Sequence, residues 1–280
     1  MAIPHGFINT QIRFNRTFRD GGFIPEAVTF IDAVETAGGS LTDTEKVAID
    51  LYVRDAQDNA NAWWNDLLAF WPFVGSSVAA HAINLKTPGT FDITFVNTIA
   101  GDHVANGWTP NGTNAYGRTG VIPSTDTILN DVALIYYSRT NNSTSSIQIG
   151  CATVSPTQVL QARIRGVDDK YLFHSYNNVG GGFVVAGATD SSGGMTYSRL
   201  SATDSKAYRN GSQVATIGTS GGIRPTHEIY LGGRNNAGTA DNFDDKQLAG
   251  AGVTNGLTAA QVLAEYTALQ TLNTSLSRQV

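Results

Sequence analysis

The chain has 280 residues, of which 41% are hydrophobic and 15% charged, and its formal net charge is −5. Folded chains carry roughly 25% charged residues, so this sequence is poor in charge but has enough apolar material for a sizeable core. Intrinsic disorder would need low hydrophobicity, and a disulfide scaffold would need more than the one cysteine present. The acidic balance argues against a nucleic-acid partner, and no apolar run approaches the roughly 20 residues of a membrane span.

Residues 1–40 begin with a polar stretch and are predicted to be irregular. Their apolar side chains Ile8, Ile12, Phe14 and Phe18 are more than a purely solvated tail would need. We therefore expect an extended attachment arm that docks on a partner through these four residues. The alternative is an ordinary floppy terminus. Because the first residues lack the basic start and apolar stretch of a signal peptide, we expect synthesis without secretory export.

Residues 41–84 are predicted as a helical segment. Thr42 and Glu45 have the spacing of a capping box, which satisfies free N–H groups at a helix start. A second amphipathic run, rich in tryptophan, extends the helical pattern to Pro72, which ends it. Such an aromatic stripe could form a sugar-binding platform, but aromatic residues at helical spacing more often pack in a core.

From residue 85 onward the pattern changes to short strands separated by Gly, Asn, Asp and Ser. The run 132–137 is continuously apolar, as in a central strand, and Asn210-Gly211 predicts a type I′ hairpin turn. A capping box at Thr258 predicts a final helix over 258–277, which packs on the strands or, alternatively, pairs with copies of itself. We predict a mainly β fold over 85–280, a two-sheet antiparallel jelly-roll sandwich with a C-terminal helix.

Two clusters of polar residues are candidate binding sites. Trp108, Asn111, Asn114 and Tyr116 combine aromatic and amide side chains in a loop, which suits a glycan, although Asn and Gly are also what turns require. The acidic segment 241–245 is a weaker candidate for Ca²⁺, through Asp241, Asp244 and Asp245, because carboxylates clustered in a loop suit that ion. The alternative is a solvated loop, and we otherwise expect no cofactor.

The sequence predicts no catalytic residues. Retaining glycoside hydrolysis needs two carboxyl groups about 5–5.5 Å apart, and Glu228 is the only glutamate in the strand region. The five histidines are scattered without the spacing of metal ligands. Cys151 lies between Gly150 and Ala152 on an apolar strand face, so we expect a small buried hydrophobic residue. We therefore expect a protein that is not an enzyme.

Several short motifs recur in the same order in a set of bacteriophage proteins. They are PFVG at 72–75, AH at 80–81, NL at 84–85, PNGTN at 110–114 and YYSRT at 136–140. In the C-terminal half, YRNGS at 208–212, IYLG at 229–232 and LTAAQ at 257–261 resemble the concanavalin A-like sandwich more generally. The chain thus resembles virion proteins of phages of Bacteroidetes hosts, including crAss-like ones, that carry a concanavalin A-like (laminin G-like) sandwich.

The resemblance implies a structural protein on the virion surface, made in the host cytoplasm, as a head fibre, capsid decoration or tail appendage. Its N-terminal region would bind other virion proteins, and by analogy with such assemblies we expect a homo-oligomer, with a trimer as the specific guess. The alternative function is an adhesion module that binds a host surface glycan. A polysaccharide-degrading enzyme is the third candidate.

Overall fold

The computed structural model describes residues 22–58, 60–154, 157–177, 183–217 and 222–280. The expected docking residues Ile8, Ile12, Phe14 and Phe18 lie outside this part of the chain. Within it, no helix is both long and apolar enough to cross a membrane.

Helices lie mainly at the two ends of the chain. They are α1 (Pro25–Thr36), α2 (Asp43–Asp58), α3 (Val78–Ala82), α4 (Pro123–Asp126) and α5 (Ala259–Ser275). The strands are β1 (Leu67–Trp71), β2 (Thr94–Val96), β3 (His103–Val104), β4 (Gly107–Trp108), β5 (Tyr116–Arg118), β6 (Val132–Ser138), β7 (Ile149–Val154), β8 (Thr157–Arg163), β9 (Lys170–Asn177), β10 (Phe183–Ala186), β11 (Gly193–Arg199), β12 (Ser205–Arg209), β13 (Ser212–Ile217), β14 (Tyr230–Leu231), β15 (Arg234–Asn236), β16 (Thr239–Asp241) and β17 (Leu248–Thr254).

The described strands form two sheets, one of eight strands and one of nine. The first has the order β13-β12-β11-β6-β17-β4-β3, and β1 also pairs with β17. The second has the order β10-β9-β8-β7-β14-β5-β2, with β15 beside β7 and β16 beside β15. The pairing is antiparallel except between β15 and β7. The chain is therefore mainly β, with two antiparallel sheets and a few helices, as the sequence predicts at that level.

The two sheets pack face to face, and the helices add a third layer. Leu134 and Tyr136 of β6 share the core between the sheets with residues such as Cys151 and Leu231 of the second sheet. The alternate residues Ile135 and Tyr137 point the other way, into a separate core with the helices α1, α2 and α5. The long helices thus cover the outer face of the first sheet. The outer face of the second sheet is where the candidate site lies.

Two predictions at the N-terminal end, one of an extended arm and one of a helix, are wrong. Residues 25–36 of the expected extended arm form α1, which begins with Pro25 at its first turn and buries Phe30 and Val34. Residues 67–71 of the expected helical run form strand β1, which pairs with β17 in the first sheet. The sheet therefore begins before the expected boundary at residue 85. Ala69 and Trp71 face the core between the sheets while Phe70 faces the helices, so both sides of β1 are apolar and no strand alternation shows.

Other local predictions are confirmed. The hairpin turn between β12 and β13 has positive φ at both Asn210 (50°) and Gly211 (73°), as a type I′ turn requires. Both expected capping boxes form, with the Thr258 hydroxyl accepting from Gln261 N and the Gln261 side chain accepting from Thr258 N. The same pair of bonds joins Thr42 and Glu45 at the start of α2.

Candidate functional site

An open groove of about 600 Å³ lies on the outer face of the second sheet, over β5 and β14. These strands pair so that Tyr230 is opposite Arg118 and Leu231 is opposite Gly117. Because side chains alternate along a strand and Leu231 faces the core, Tyr116, Arg118 and Tyr230 face outward. The groove is lined by Tyr116, Arg118, Gly120, Ile122, Thr226, His227, Glu228, Tyr230, Asn235 and Gly238.

Two stacked tyrosines form the aromatic part of the groove. The ring centroids of Tyr116 and Tyr230 are 4.6 Å apart with an interplanar angle of 30°. Tyr230 is 5% exposed, and burial raises the pKa of its hydroxyl, whereas the Tyr116 ring stacked against it is half-buried. Tyr116 therefore presents a rigid aromatic surface to the groove, with little conformational freedom left to lose on binding.

An ion pair forms the polar part of the groove. Arg118 Nη2 lies 2.7 Å from Glu228 Oε1, and Arg118 Nε donates to the same oxygen at 2.8 Å. The other carboxylate oxygen of Glu228 accepts from Gly120 N at 3.0 Å. The hydrogen bond to Glu228 raises the pKa of the Arg118 guanidinium. The charges of Arg118 and Glu228 thus neutralise each other in the wall of the groove. Hydrogen-bonding positions on these two side chains that the pair does not use remain for a ligand.

The four predicted glycan residues are only partly brought together. Trp108 is a correction, because it is fully buried and packs against His103 and Phe95 in the interior. Asn111 and Asn114 are exposed, but Asn111 Nδ2 donates to Asn114 Oδ1 at 2.9 Å, so the two amides bind each other. Tyr116 alone lines the groove.

The Asn111 side chain holds the loop that follows it through hydrogen bonds to the backbone. Its Oδ1 accepts from the backbone N–H groups of Thr113, Asn114 and Ala115 at 2.9–3.0 Å. This is the use of asparagine that turns favour, in which the side chain replaces a backbone acceptor. The two asparagines therefore hold the loop that leads into Tyr116.

The three acidic residues of the predicted calcium site have different partners. Asp241 forms two hydrogen bonds with the Arg234 guanidinium, at 2.9 and 2.7 Å. Asp244 is fully buried beside Lys246, and Asp245 is exposed and accepts from Asn142 Nδ2. No cluster of three or more His, Cys, Asp or Glu suited to a metal occurs in the described ranges. The structure therefore gives the three carboxylates separate partners, and two of them are paired with cations.

Cys151 is fully buried in the core between the sheets, as expected. Burial raises the pKa of its thiol far above the usual range, so the reactive thiolate is disfavoured.

Sequence reasoning missed Tyr230, Arg118 and Phe243 as residues of the two hollows. Arg118 follows Tyr116 by two positions on β5, but Tyr230 meets both only through the pairing of β5 and β14, which lie more than a hundred positions apart in the chain. Phe243 lies inside the acidic segment, and its ring centroid is 6.1 Å from that of Tyr116. An aromatic residue between acidic neighbours in a loop was the available signal for Phe243.

No model of a known protein family matches the chain, and no curated protein matches its sequence. Among solved structures, it is similar to a Trypanosoma rangeli sialidase solved in complex with sialic acid, with a TM-score of 0.51 and 10% identity. That match covers 79% of this chain and 38% of the sialidase, so the chain spans well under half of that protein. It is also similar to domain 4 of AbnA, a GH43 extracellular arabinanase from Geobacillus stearothermophilus solved with arabinotriose. The identity there is 14%, the TM-score is 0.47, and the match covers 71% of this chain and 98% of that domain. At these identities the sialidase match shows a shared all-β fold and nothing about function.

Proposed function

We propose that this protein binds carbohydrate without cleaving it, through the groove over β5 and β14. The observation that carries the proposal is the aromatic surface of Tyr116, stacked on Tyr230 at 4.6 Å beside the Arg118–Glu228 pair. The apolar face of a sugar ring packs on an aromatic side chain, and its hydroxyl groups need nearby donors and acceptors. A volume of about 600 Å³ falls in the range of roughly 300–1,000 Å³ typical of small-molecule sites.

The groove chemistry favours binding over hydrolysis. Among the described residues that line it, Glu228 is the single carboxylate, and it is bonded to Arg118 and to Gly120 N. Glycoside hydrolysis by the usual mechanisms uses a pair of carboxyl groups. The lining therefore supports a binding role.

The binding test uses two variants at Tyr116 against an array of plant, bacterial and host polysaccharides. Tyr116→Ala should reduce the affinity for any glycan that the wild-type protein retains by about tenfold or more, because it removes the aromatic surface. Tyr116→Phe keeps the ring and should bind within about threefold of wild type. Equal binding by all three proteins, with unchanged thermal unfolding, would contradict the proposal.

A second proposal concerns where the protein acts. From the ordered phage motifs alone, we propose that it is displayed on a phage particle as a fibre, decoration or tail component. A concanavalin A-like jelly roll is the finer fold assignment that goes with this proposal. Immunogold labelling of particles with an antibody to this chain is the test. Label on the capsid or tail would support the proposal. Particles that bind no label, and in which the chain is not detected after denaturation, would contradict it.

A further inference from the structure

A second hollow adjoins the groove on the far side of the loop that leads into Tyr116. Its volume is about 310 Å³, and it is lined by Gly112, Thr144, Ser145, Ser146, Asn242, Phe243 and Asp245. Phe243 borders this hollow and Tyr116 borders the groove, and their ring centroids are 6.1 Å apart at an angle of 42°. Tyr116 and Phe243 thus form an aromatic ridge between the two linings, and the largely buried Tyr230 packs against Tyr116.

The second hollow has a fixed wall. The fully buried Asp244 accepts from Ser146 Oγ at 2.6 Å, from Gln148 Nε2 at 2.8 Å and from Tyr136 OH at 3.1 Å. Its backbone carbonyl accepts from Gly112 N at 2.9 Å, which ties the opposite side of the hollow to the same residue. Both sides are therefore held to the core, so ligand binding would not have to order them.

The segment that carries Phe243 is held at both ends. Asp241 is fixed by the Arg234 guanidinium on one side, and Asp244 by the core on the other. Between them, Asn242 takes a positive φ of 50° and its carbonyl accepts from Ile147 N at 2.9 Å. The acidic segment that resembled a cation site thus works as a support that presents Phe243 beside Tyr116.

The charges of the two openings favour an uncharged ligand. The Arg118 guanidinium is already paired with Glu228, and Lys246 is buried and donates to Thr144 Oγ1 at 2.6 Å. Asp245 contributes an exposed carboxylate to the second hollow. Apart from His227, the described lining therefore offers no further basic side chain to an acidic sugar.

We infer that the groove and the second hollow form one surface for an internal stretch of a neutral oligosaccharide chain. Successive sugar units would lie across the ridge, one on Tyr116 and another on Phe243. This inference rests on the proposed function, and it adds the ligand class: an uncharged chain of at least two units, in preference to a single terminal sugar.

The test measures Kd by calorimetry for the neutral laminari-, xylo-, manno- and arabino- series from the monosaccharide to the hexasaccharide. Galacturonic acid and oligogalacturonates of the same lengths serve as the acidic counterpart. For wild type, the affinity for the preferred neutral series should rise by about tenfold between the monosaccharide and the trisaccharide. Phe243→Ala should remove that gain and leave the monosaccharide affinity unchanged. Tyr116→Ala should weaken binding at every length.

The outcomes separate the two proposals. If Tyr116→Ala weakens binding but Phe243→Ala has no effect at any length, the groove binds sugar and the second hollow does not. Tighter binding of oligogalacturonates than of every neutral series would overturn the assignment of a neutral ligand. Binding that is unaffected by Tyr116→Ala would contradict the proposed function itself. Phe243→Leu, which keeps an apolar side chain, and unfolding midpoints for each variant control for loss of structure.

Discussion

The outer faces of the two sheets differ in what covers them. The first sheet sends Phe70, Ile135 and Tyr137 outward into a core with the long helices, so its central strands are apolar on both sides. The second sheet sends Tyr116 and Arg118 outward into an open groove. One face thus stabilises the fold, while the other combines aromatic and polar groups whose arrangement suits a ligand.

Truncation on the covered face should have the largest effect. Phe70 is fully buried, and its ring stacks on Tyr52 with centroids 4.8 Å apart. Phe70→Ala should lower the free energy of unfolding by about 4 kcal/mol through lost burial and the cavity left behind. Tyr116→Ala, on the open face, should cost about 1 kcal/mol or less. Denaturant unfolding of both variants gives the comparison, and equal losses would contradict the division.

Removing Asp244, the centre of the buried cluster behind the second hollow, should have the next largest effect on stability. Asp244→Ala would remove three side-chain hydrogen bonds and leave Lys246 buried without its acidic partner. We expect a loss of about 3 kcal/mol in unfolding free energy. The neighbouring Asp245 is exposed, so Asp245→Ala is the matched control and should stay within about 0.5 kcal/mol of wild type. A small effect of Asp244→Ala would mean that the hollow is not anchored to the core.

A buried acid in α5 predicts that the protein loses stability as the pH rises. Glu265 of α5 is buried, its Oε1 has no hydrogen-bond partner, and burial raises its pKa from 4.5 to about 8. The unfolded chain ionises first, so stability is full below pH 4.5 and falls as the pH rises towards 8. Glu265→Gln should therefore be more stable than wild type at pH 8, by about 2 kcal/mol, and close to it at pH 4.5. A pH-independent difference in unfolding free energy would contradict this explanation.

A buried histidine pair predicts a smaller loss of stability at low pH. His81 Nδ1 and His103 Nδ1 are 3.1 Å apart, and burial lowers both pKa values, that of His103 to about 4. Protonation favours the unfolded chain, so stability should be full above pH 6.5 and fall as the pH drops towards 4. His103→Gln should reduce this fall by about 1 kcal/mol, measured by thermal unfolding between pH 7 and pH 4. If the fall in stability between pH 7 and pH 4 is unchanged in His103→Gln, another group, such as His174, is responsible for it.

The features that sequence could predict are those decided by local chemistry. The Asn210-Gly211 turn and the capping boxes depend on a few adjacent residues, and they form as expected. Strand β1 was not predictable in this way, because its two apolar faces belong to two different cores and the pattern matches a helix. Helix α1 did carry a signal, with Pro25 at its start and Phe30 and Val34 at helical spacing.

The candidate site was harder to predict because it depends on contacts between distant parts of the chain. Tyr116 could be identified from its loop, but its stacking on Tyr230 depends on strand pairing. Trp108 was wrongly predicted to lie in an exposed loop, because turn-forming residues surround it in the sequence. In the structure its ring packs closely against Gly232, where an added Cβ would lie 2.8 Å from the Trp108 ring. Local pattern shows residue type, whereas only the tertiary structure shows which aromatic side chains reach the surface.

The residues behind the phage resemblance serve mainly the interior. Asn84 Oδ1 accepts from Phe70 N at 2.9 Å, its Nδ2 donates to Thr90 O at 2.9 Å, and His81 is fully buried. Tyr136 belongs to the Asp244 cluster. Residues of this kind concern how this chain folds, so these motifs carry no information about a ligand.

We propose that the open face of the second sheet binds sugar through Tyr116. The most direct measurement is the affinity of wild type, Tyr116→Ala and Tyr116→Phe for the glycan that the array retains most strongly. We predict a loss of about tenfold or more for the alanine variant and near wild-type affinity for the phenylalanine variant. Wild-type affinity in a correctly folded Tyr116→Ala protein would contradict the account.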